Sequence, residues 1–340
     1  MVNGKIDHGP GMAGGYWVRR FLLFCASFIL ALFPYRAFAQ NFHGAGESNF
    51  LHSIREIENH LSKESFEVFR MRDLRSANNI TKLAILKFGR TNFMQVKWKR
   101  APQGGETFNN EPRYEVAAYL FQKLFLNPEE YVVPPTAIRG SPYAQYKSIE
   151  SAALPTFDNP KLVFYVLQYW LENVDSKNIY DKDRLASDDT YAKFVGNLNI
   201  FSYLIRHSDA NQGNFLISTI ESNPRVYAVD NGIAFASDRS DRGYEWQQLR
   251  VERLPAATVA RLKMLSPQKI KSALETVAQF EVQYGLPVAV APTENLAPEK
   301  GVRRTDNIIQ FGLTRNEIDG IVERLAVLLN RVANGKLTLF

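Results

Sequence analysis

Cysteine is all but missing: Cys25 is the only one in 340 residues. No internal disulfide can form and no cysteine cluster can hold a metal, so the fold stands on burial alone. A body of roughly 300 residues buries enough surface for that. Charge of one sign is also lacking. There are 41 Lys and Arg against 35 Asp and Glu, and beyond residue 39 the balance is 37 to 34 with no long basic run. Nucleic-acid binding needs cations clustered to face phosphates, and that pattern is not there. Hydrophobic residues make up 45%, too many for a disordered chain, and the 20 glycines follow no collagen-like period. No internal repeat occurs. The main apolar run falls short of the ~20 residues a membrane-spanning helix needs.

That run is the 13 residues Phe21 to Phe33, preceded by Arg19-Arg20 and followed by Pro34-Tyr35-Arg36-Ala37-Phe38-Ala39. A basic start, a short apolar stretch and a small-x-small ending match a secretory signal peptide cleaved after Ala39. The mature chain is then secreted or periplasmic, keeps no stable membrane span, and loses Cys25 with the leader. The expected organisation is a signal peptide at 1–39, a helical extension at 40–75, a strand-rich N-lobe at 76–170 and a helical C-lobe at 171–340.

Helical spacing of Phe50, Leu51, Ile54, Ile57 and Leu61 predicts a helix over 47–61. His52, Glu56 and His60 recur on another of its faces; with no further ligand converging in sequence, they read as a solvated face and not a metal site. Two strands, Leu83–Phe88 and Phe93–Lys99, flank a Gly89-Arg90-Thr91-Asn92 turn and read as a hairpin. Gln95, Lys97 and Lys99 share one face of the second strand, and Val96 and Trp98 the other. A helix follows over 114–125, then a buried strand over 163–170. A charged loop (173–189) leads to a buried helix over 191–207, and two short strands follow at 214–218 and 225–229. The remainder reads as mostly helical, with Ser266-Pro267 opening one helix and the Thr314-x-x-Glu317 capping box another.

Between the buried helix and the first short strand lies His207-Ser208-Asp209-Ala210-Asn211-Gln212-Gly213-Asn214, of the form H-x-D-x-x-x-x-N. Asp230-Asn231-Gly232 begins sixteen residues after Asn214. This is the spacing and context of a phosphotransferase site. Moving a terminal phosphoryl group requires an Asp to take the incoming hydroxyl's proton, a role Asp209 fits. It also requires oxygen ligands for a hard divalent cation, and Asn214 and Asp230 supply carbonyl and carboxylate oxygens. Lys99, at a strand end, and Glu115, on the next helix, have the order of a lysine–glutamate pair that orients nucleotide phosphates. Lys97 shares the Lys99 face and is its rival.

These residues resemble the atypical kinase-like superfamily, which includes the secretory-pathway (Golgi casein kinase-type) kinases, the phosphatidylinositol kinase-like bacterial proteins and the HipA-type kinases. The resemblance rests on Trp98-Lys99, Gly105-Glu106, Tyr114-Glu115-Val116-Ala117-Ala118-Tyr119 and Val133-Pro134-Pro135-Thr136. It continues through Asp209 and Asn214 to Val229-Asp230-Asn231-Gly232-Ile233-Ala234-Phe235. It spans about residues 83–246, half the chain. It implies an α+β, two-lobed protein-kinase-like fold, ATP with Mg²⁺ or Mn²⁺, and transfer to an unknown hydroxyl-bearing acceptor. By position Lys99 matches the phosphate lysine, Glu115 its partner, Asp209 the catalytic base, and Asn214 and Asp230 the metal ligands. The strand over 163–170 and the residues after it match the hinge that meets adenine. Ala210 stands where the family often has arginine, and no glycine-rich loop precedes the lysine strand.

Three readings follow from the residues. An active secreted kinase occupies all five polar roles. A catalytically inactive nucleotide- or partner-binding module on the same fold is the alternative. A secreted hydrolase using Asp209 and Asp230 as an acid pair leaves Lys99, Glu115 and Asn214 without roles. Asn79-Ile80-Thr81 is a glycosylation sequon, usable only in a eukaryotic secretory lumen.

Overall fold

The computed structural model describes residues 48–74, 81–235 and 241–340. The leader, its cleavage point, and Asn79 and Ile80 of the sequon lie outside the described residues. The first helix, α1 (Ile54–Ser62), begins later than its apolar spacing suggests because Ser53 caps it. The Ser53 hydroxyl accepts from the Glu56 amide, and the Glu56 carboxylate accepts from the Ser53 amide. His60 is not on a solvated face: its ring stacks on Phe88 at 4.4 Å, and Nδ1 meets Glu64 Oε2 at 2.8 Å.

After α1 come β1 (Glu67–Asp73), β2 (Thr81–Phe88) and β3 (Asn92–Arg100), then α2 (Pro112–Gln122). The next elements are β4 (Thr136–Pro142), α3 (Tyr143–Tyr146), β5 (Phe157–Asp158) and β6 (Lys161–Tyr169). Their strands form one antiparallel sheet, ordered β1-β2-β3-β6-β4 with β5 on β6. The two-residue period of β3 divides its side chains. Met94, Val96 and Trp98 enter an apolar cluster with Ile57, Leu61, Tyr165 and Leu167. Trp98 stacks on Tyr165 at 4.0 Å and donates to the Tyr146 hydroxyl, so its polar edge is satisfied within the core. Lys97 and Lys99 face the other way.

The chain continues through β7 (Val174–Asp175), α4 (Lys182–Ser187) and α5 (Asp189–Leu204) to β8 (Phe215–Ser218) and β9 (Val226–Ala228). β7, β8 and β9 form a small antiparallel sheet. Then follow β10 (Arg253–Leu254), α6 (Ala256–Lys263), α7 (Pro267–Leu274), β11 (Ala278–Gln283), β12 (Leu286–Val290), β13 (Val302–Arg304), β14 (Ile308–Phe311), α8 (Arg315–Ala333) and β15 (Thr338–Leu339). α5 is buried on nearly all sides. Its Val195, Leu198 and Phe201 pack in one core with Ile321 and Leu328 of α8.

Residues 278–311 depart from the helical reading of the C-terminal half. They form a four-stranded antiparallel sheet, β12-β11-β14-β13. Tyr284 and Gly285, at φ +53° and +78°, make the two-residue turn between β11 and β12, a left-handed pair that matches the twist of a hairpin. Phe280 and Phe311 of this sheet pack on Phe164 of β6, so the late segment folds back on the first sheet. α2 sits among these parts, and all but one of its eleven residues are buried. Arg113 anchors the helix there. Its guanidinium forks onto Glu317, the third residue of α8, at 2.6 and 3.0 Å, and its Nε meets Glu106 at 2.6 Å.

Candidate active site

Antiparallel pairing of β3 with β6 sets Lys97 opposite Gln168 and Lys99 opposite Val166. Both lysines point toward the carboxylates of Glu115, on α2, and Asp230, just after β9. Lys99 Nζ lies 3.0 Å from Asp230 Oδ1 and 3.4 Å from Glu115 Oε1. Lys97 Nζ meets the same two oxygens at 3.2 and 3.4 Å. Two ammonium groups and two carboxylates therefore form one charge-balanced cluster. Glu115 uses its second oxygen to accept the Asn231 amide at 3.0 Å, which ties α2 to the Asp230 loop. Burial alone would lower the Lys99 pKa, but the Asp230 and Glu115 carboxylates outweigh it and raise that pKa. Burial likewise pushes the Asp230 carboxyl up, and the two ammonium groups override it, holding Asp230 well below the usual carboxylate range. Asp230 has φ +60°, a left-handed backbone that aspartate tolerates better than most residues other than glycine. A Cβ on Gly232 would stand 3.0 Å from Lys99 Nζ, so the glycine gives the lysine its room.

The second part of the site is the loop after α5. Arg206, at φ +49°, turns the chain out of the helix, and the loop then wraps around Asp209. Asn211 Nδ2 donates to Asp209 Oδ1 at 3.0 Å, and Asn214 Nδ2 donates to Oδ2 at 2.8 Å. The same two amides also bond the Asp209 carbonyl. Asp209 is thus oriented on both oxygens, each keeping a lone pair. Ala210 brings no cation, but Arg242 does: its Nη1 is 3.8 Å from Asp209 Oδ1. Backbone bonds join this loop to the Asp230 loop, from Val229 N to the Asn214 carbonyl and from Ser208 N to the Ile233 carbonyl. His207 is fully buried, neither ring nitrogen has a hydrogen-bond partner among the described residues, and burial pushes its pKa down to about 4.

A cavity of about 880 Å³ opens against these groups. Lys97, Lys99, Asn214 and Asp230 line it, together with Gln168 and the 169–174 stretch after β6. Asp209 is not on its wall and reaches it only through Asn214. Among the described residues no three His, Cys, Asp or Glu side chains gather into a metal cluster. The donors present still suit a hard cation that keeps waters and takes phosphate oxygens. Asn214 spends its amide nitrogen on Asp209 and retains Oδ1, and Asp230 holds both lysines with Oδ1 and retains Oδ2.

No family model and no curated protein matches the sequence. Solved structures do match its fold. A structure of hydra Fam20 with sugar superposes with a TM-score of 0.52 at 15% identity, covering 88% of this chain and 95% of the other. A crystal structure of the Golgi casein kinase superposes at 0.50 with 12% identity, covering 85% and 79%. The chain has an atypical kinase-like fold. Within it, the six-stranded sheet with α2 forms the lysine-bearing part, and α5 with its following loops forms the part bearing Asp209, Asn214 and Asp230.

Sequence reasoning passed over several residues of this region. Asn49 is buried ahead of α1, donating to the Glu172 and Asn173 carbonyls and accepting from the Tyr227 hydroxyl at 2.9 Å. It pins the stretch that lines the cavity beyond β6. Asn211 carried a local signal, since an Asn two residues after an Asp in a loop favours this turn. Arg242 carried none, since Asp209 lies 33 residues away in sequence, nor did the Arg113 fork onto Glu317, which spans 204.

Proposed function

We propose that the chain is a metal-dependent phosphotransferase of a secretory or periplasmic compartment, moving the γ-phosphoryl group of ATP to a hydroxyl. One observation carries the reading: Lys97, Lys99 and Asp230 line one cavity with Asn214, with Glu115 bonded behind the lysines and Asp209 bonded behind Asn214. Lys99 fits as the phosphate lysine, held in place by Glu115 from an α2 that Arg113 and Glu317 fix. Asp209 accepts the acceptor's proton as the acceptor oxygen bonds to the γ-phosphorus and the bond to the β–γ bridging oxygen breaks, leaving ADP. Mg²⁺ or Mn²⁺, when bound, neutralises phosphate charge, and Asn214 Oδ1 and Asp230 Oδ2 are the atoms that would hold it. Adenine fits against residues 168–171. The Trp170 and Glu172 amides already bond the Gln95 and Asn49 carbonyls, which leaves the Leu171 amide to meet the base. The leader-like sequence at 1–39 and the fold shared with the Golgi casein kinase support the compartment.

One observation favours a non-catalytic nucleotide-binding module instead. The residues joining β1 to β2, Leu74 to Ile80, include no glycine to let backbone amides close over phosphates. Turnover decides between the two readings. ADP release from ATP, with protein and sugar acceptors supplied, should fall about 10²–10⁴-fold in Asp209→Ala while ATP binding persists. Equal rates in wild type and variant would remove Asp209 as the base.

A further inference from the structure

A phosphate-binding cluster of this kind needs one lysine, and this one holds two. Lys97 and Lys99 share the same pair of carboxylate oxygens at nearly equal distances. Their surroundings differ. Both line the cavity, but the Lys99 side chain is 6% exposed and its ammonium abuts Gly232, so it is the more enclosed of the two. The Lys97 side chain is 14% exposed and stands opposite Gln168, on the base side of the cavity. The four charges balance two against two. A divalent cation on Asp230 would leave two positive charges in excess within a largely buried cluster, an imbalance that an anion in the cavity must settle. The ammonium with open space beside it is the one placed to turn from Asp230 to that anion.

We infer that Lys97 is a second phosphate-binding residue, and that it makes the cavity select nucleoside di- and triphosphates over nucleosides and monophosphates. Lys99 stays with Glu115 as the fixed member, and Lys97 exchanges its Asp230 contact for phosphate oxygens. This rests on the nucleotide reading above. A purely structural second lysine would instead hold the two lobes' loops together and leave the ligand's phosphate count without effect.

The test is calorimetric titration of the full chain with adenosine, AMP, ADP and ATP in Mg²⁺, for wild type and Lys97→Met. Losing one charged contact should weaken ADP and ATP about tenfold or more while adenosine changes less than about twofold. Lys97→Arg should recover part of the ADP affinity. Lys97→Gln, which can still donate to Asp230, carries the same comparison if the methionine variant does not fold. Equal losses for adenosine and ADP, or no loss for either, would overturn the inference. Failure of the nucleotide reading shows separately, in wild type alone, as no binding of any of the four ligands.

Discussion

His207 offers a sharp test of how the Asp209 loop is built. It is buried one residue beyond Arg206 and packs edge-on to Phe215, with ring centroids 6.2 Å apart. Burial lowers its pKa from 6.5 to about 4, and the Asp209 and Asp230 carboxylates offset only part of that. Between those two values the unfolded chain binds a proton that the folded chain refuses. Stability must therefore rise with pH across the window, being complete above 6.5 and fully penalised below 4. At pH 5 the unfolded imidazole lies some 1.5 units into its titration, so the folded state should lose about 2 kcal/mol relative to pH 7. Urea unfolding of wild type and His207→Phe at pH 7 and pH 5 isolates the effect, because the ring is kept and the titration removed. His52, also lowered by burial, titrates alike in both chains and cancels. The wild type should lose about 2 kcal/mol more than the variant on acidification. Parallel losses would show that His207 takes up its proton in the fold as readily as in the unfolded chain, and with it that the loop around Asp209 is wetter or more polar than its burial implies.

Two more outcomes follow from the geometry. Glu317→Ala removes two charge-assisted hydrogen bonds from the buried Arg113 guanidinium, which keeps Glu106 and Glu111 as its remaining carboxylates, and should lower unfolding free energy by about 2 kcal/mol in urea titration. Because α2 also carries Glu115, the variant's ATP affinity should fall too. A change in stability alone would uncouple the anchor from the site. Asn214→Ala removes both a proposed metal-ligand oxygen and an amide that orients Asp209. Turnover should drop and the metal concentration for half-maximal rate should rise; a hydrolase working through Asp209 and Asp230 would share the first change but not the second.

Much of this was legible in the sequence where local rules dominate. The β2–β3 hairpin, α5, and the helices capped by Ser266 and Thr314 lie within a few residues of their predicted places, since alternation, periodicity and capping act over short range. Besides the two-residue β5, two strands of the first sheet were not legible. β1 reads Glu-Val-Phe-Arg-Met-Arg-Asp, the charged face of an edge strand, and β4 holds a glycine and ends in proline. The β11–β12 hairpin was missed because its turn is Tyr-Gly, in which only the fold's twist, and no Asn or Asp, calls for a left-handed first residue.

At the site, order, spacing and structural context together singled out the candidates that the structure brings into one region. The alternation of β3 placed Lys97 and Lys99 on one face, and the structure engages both with the same carboxylates in place of choosing between them. The cation that Ala210 withholds from Asp209 comes from Arg242, a long-range contact that no local pattern encodes.

The measurement that bears hardest on a nucleotide site here is thermal unfolding of the chain with ATP and Mg²⁺ or Mn²⁺, beside Asp230→Ala. At a ligand concentration about 100-fold above the dissociation constant, binding adds about 2.7 kcal/mol, a rise of several degrees for a chain of this size. A metal-dependent rise in wild type that vanishes in Asp230→Ala is the expected result. No rise at millimolar ATP with either metal, or an equal rise in the variant, would contradict a metal–nucleotide site built on Asp230.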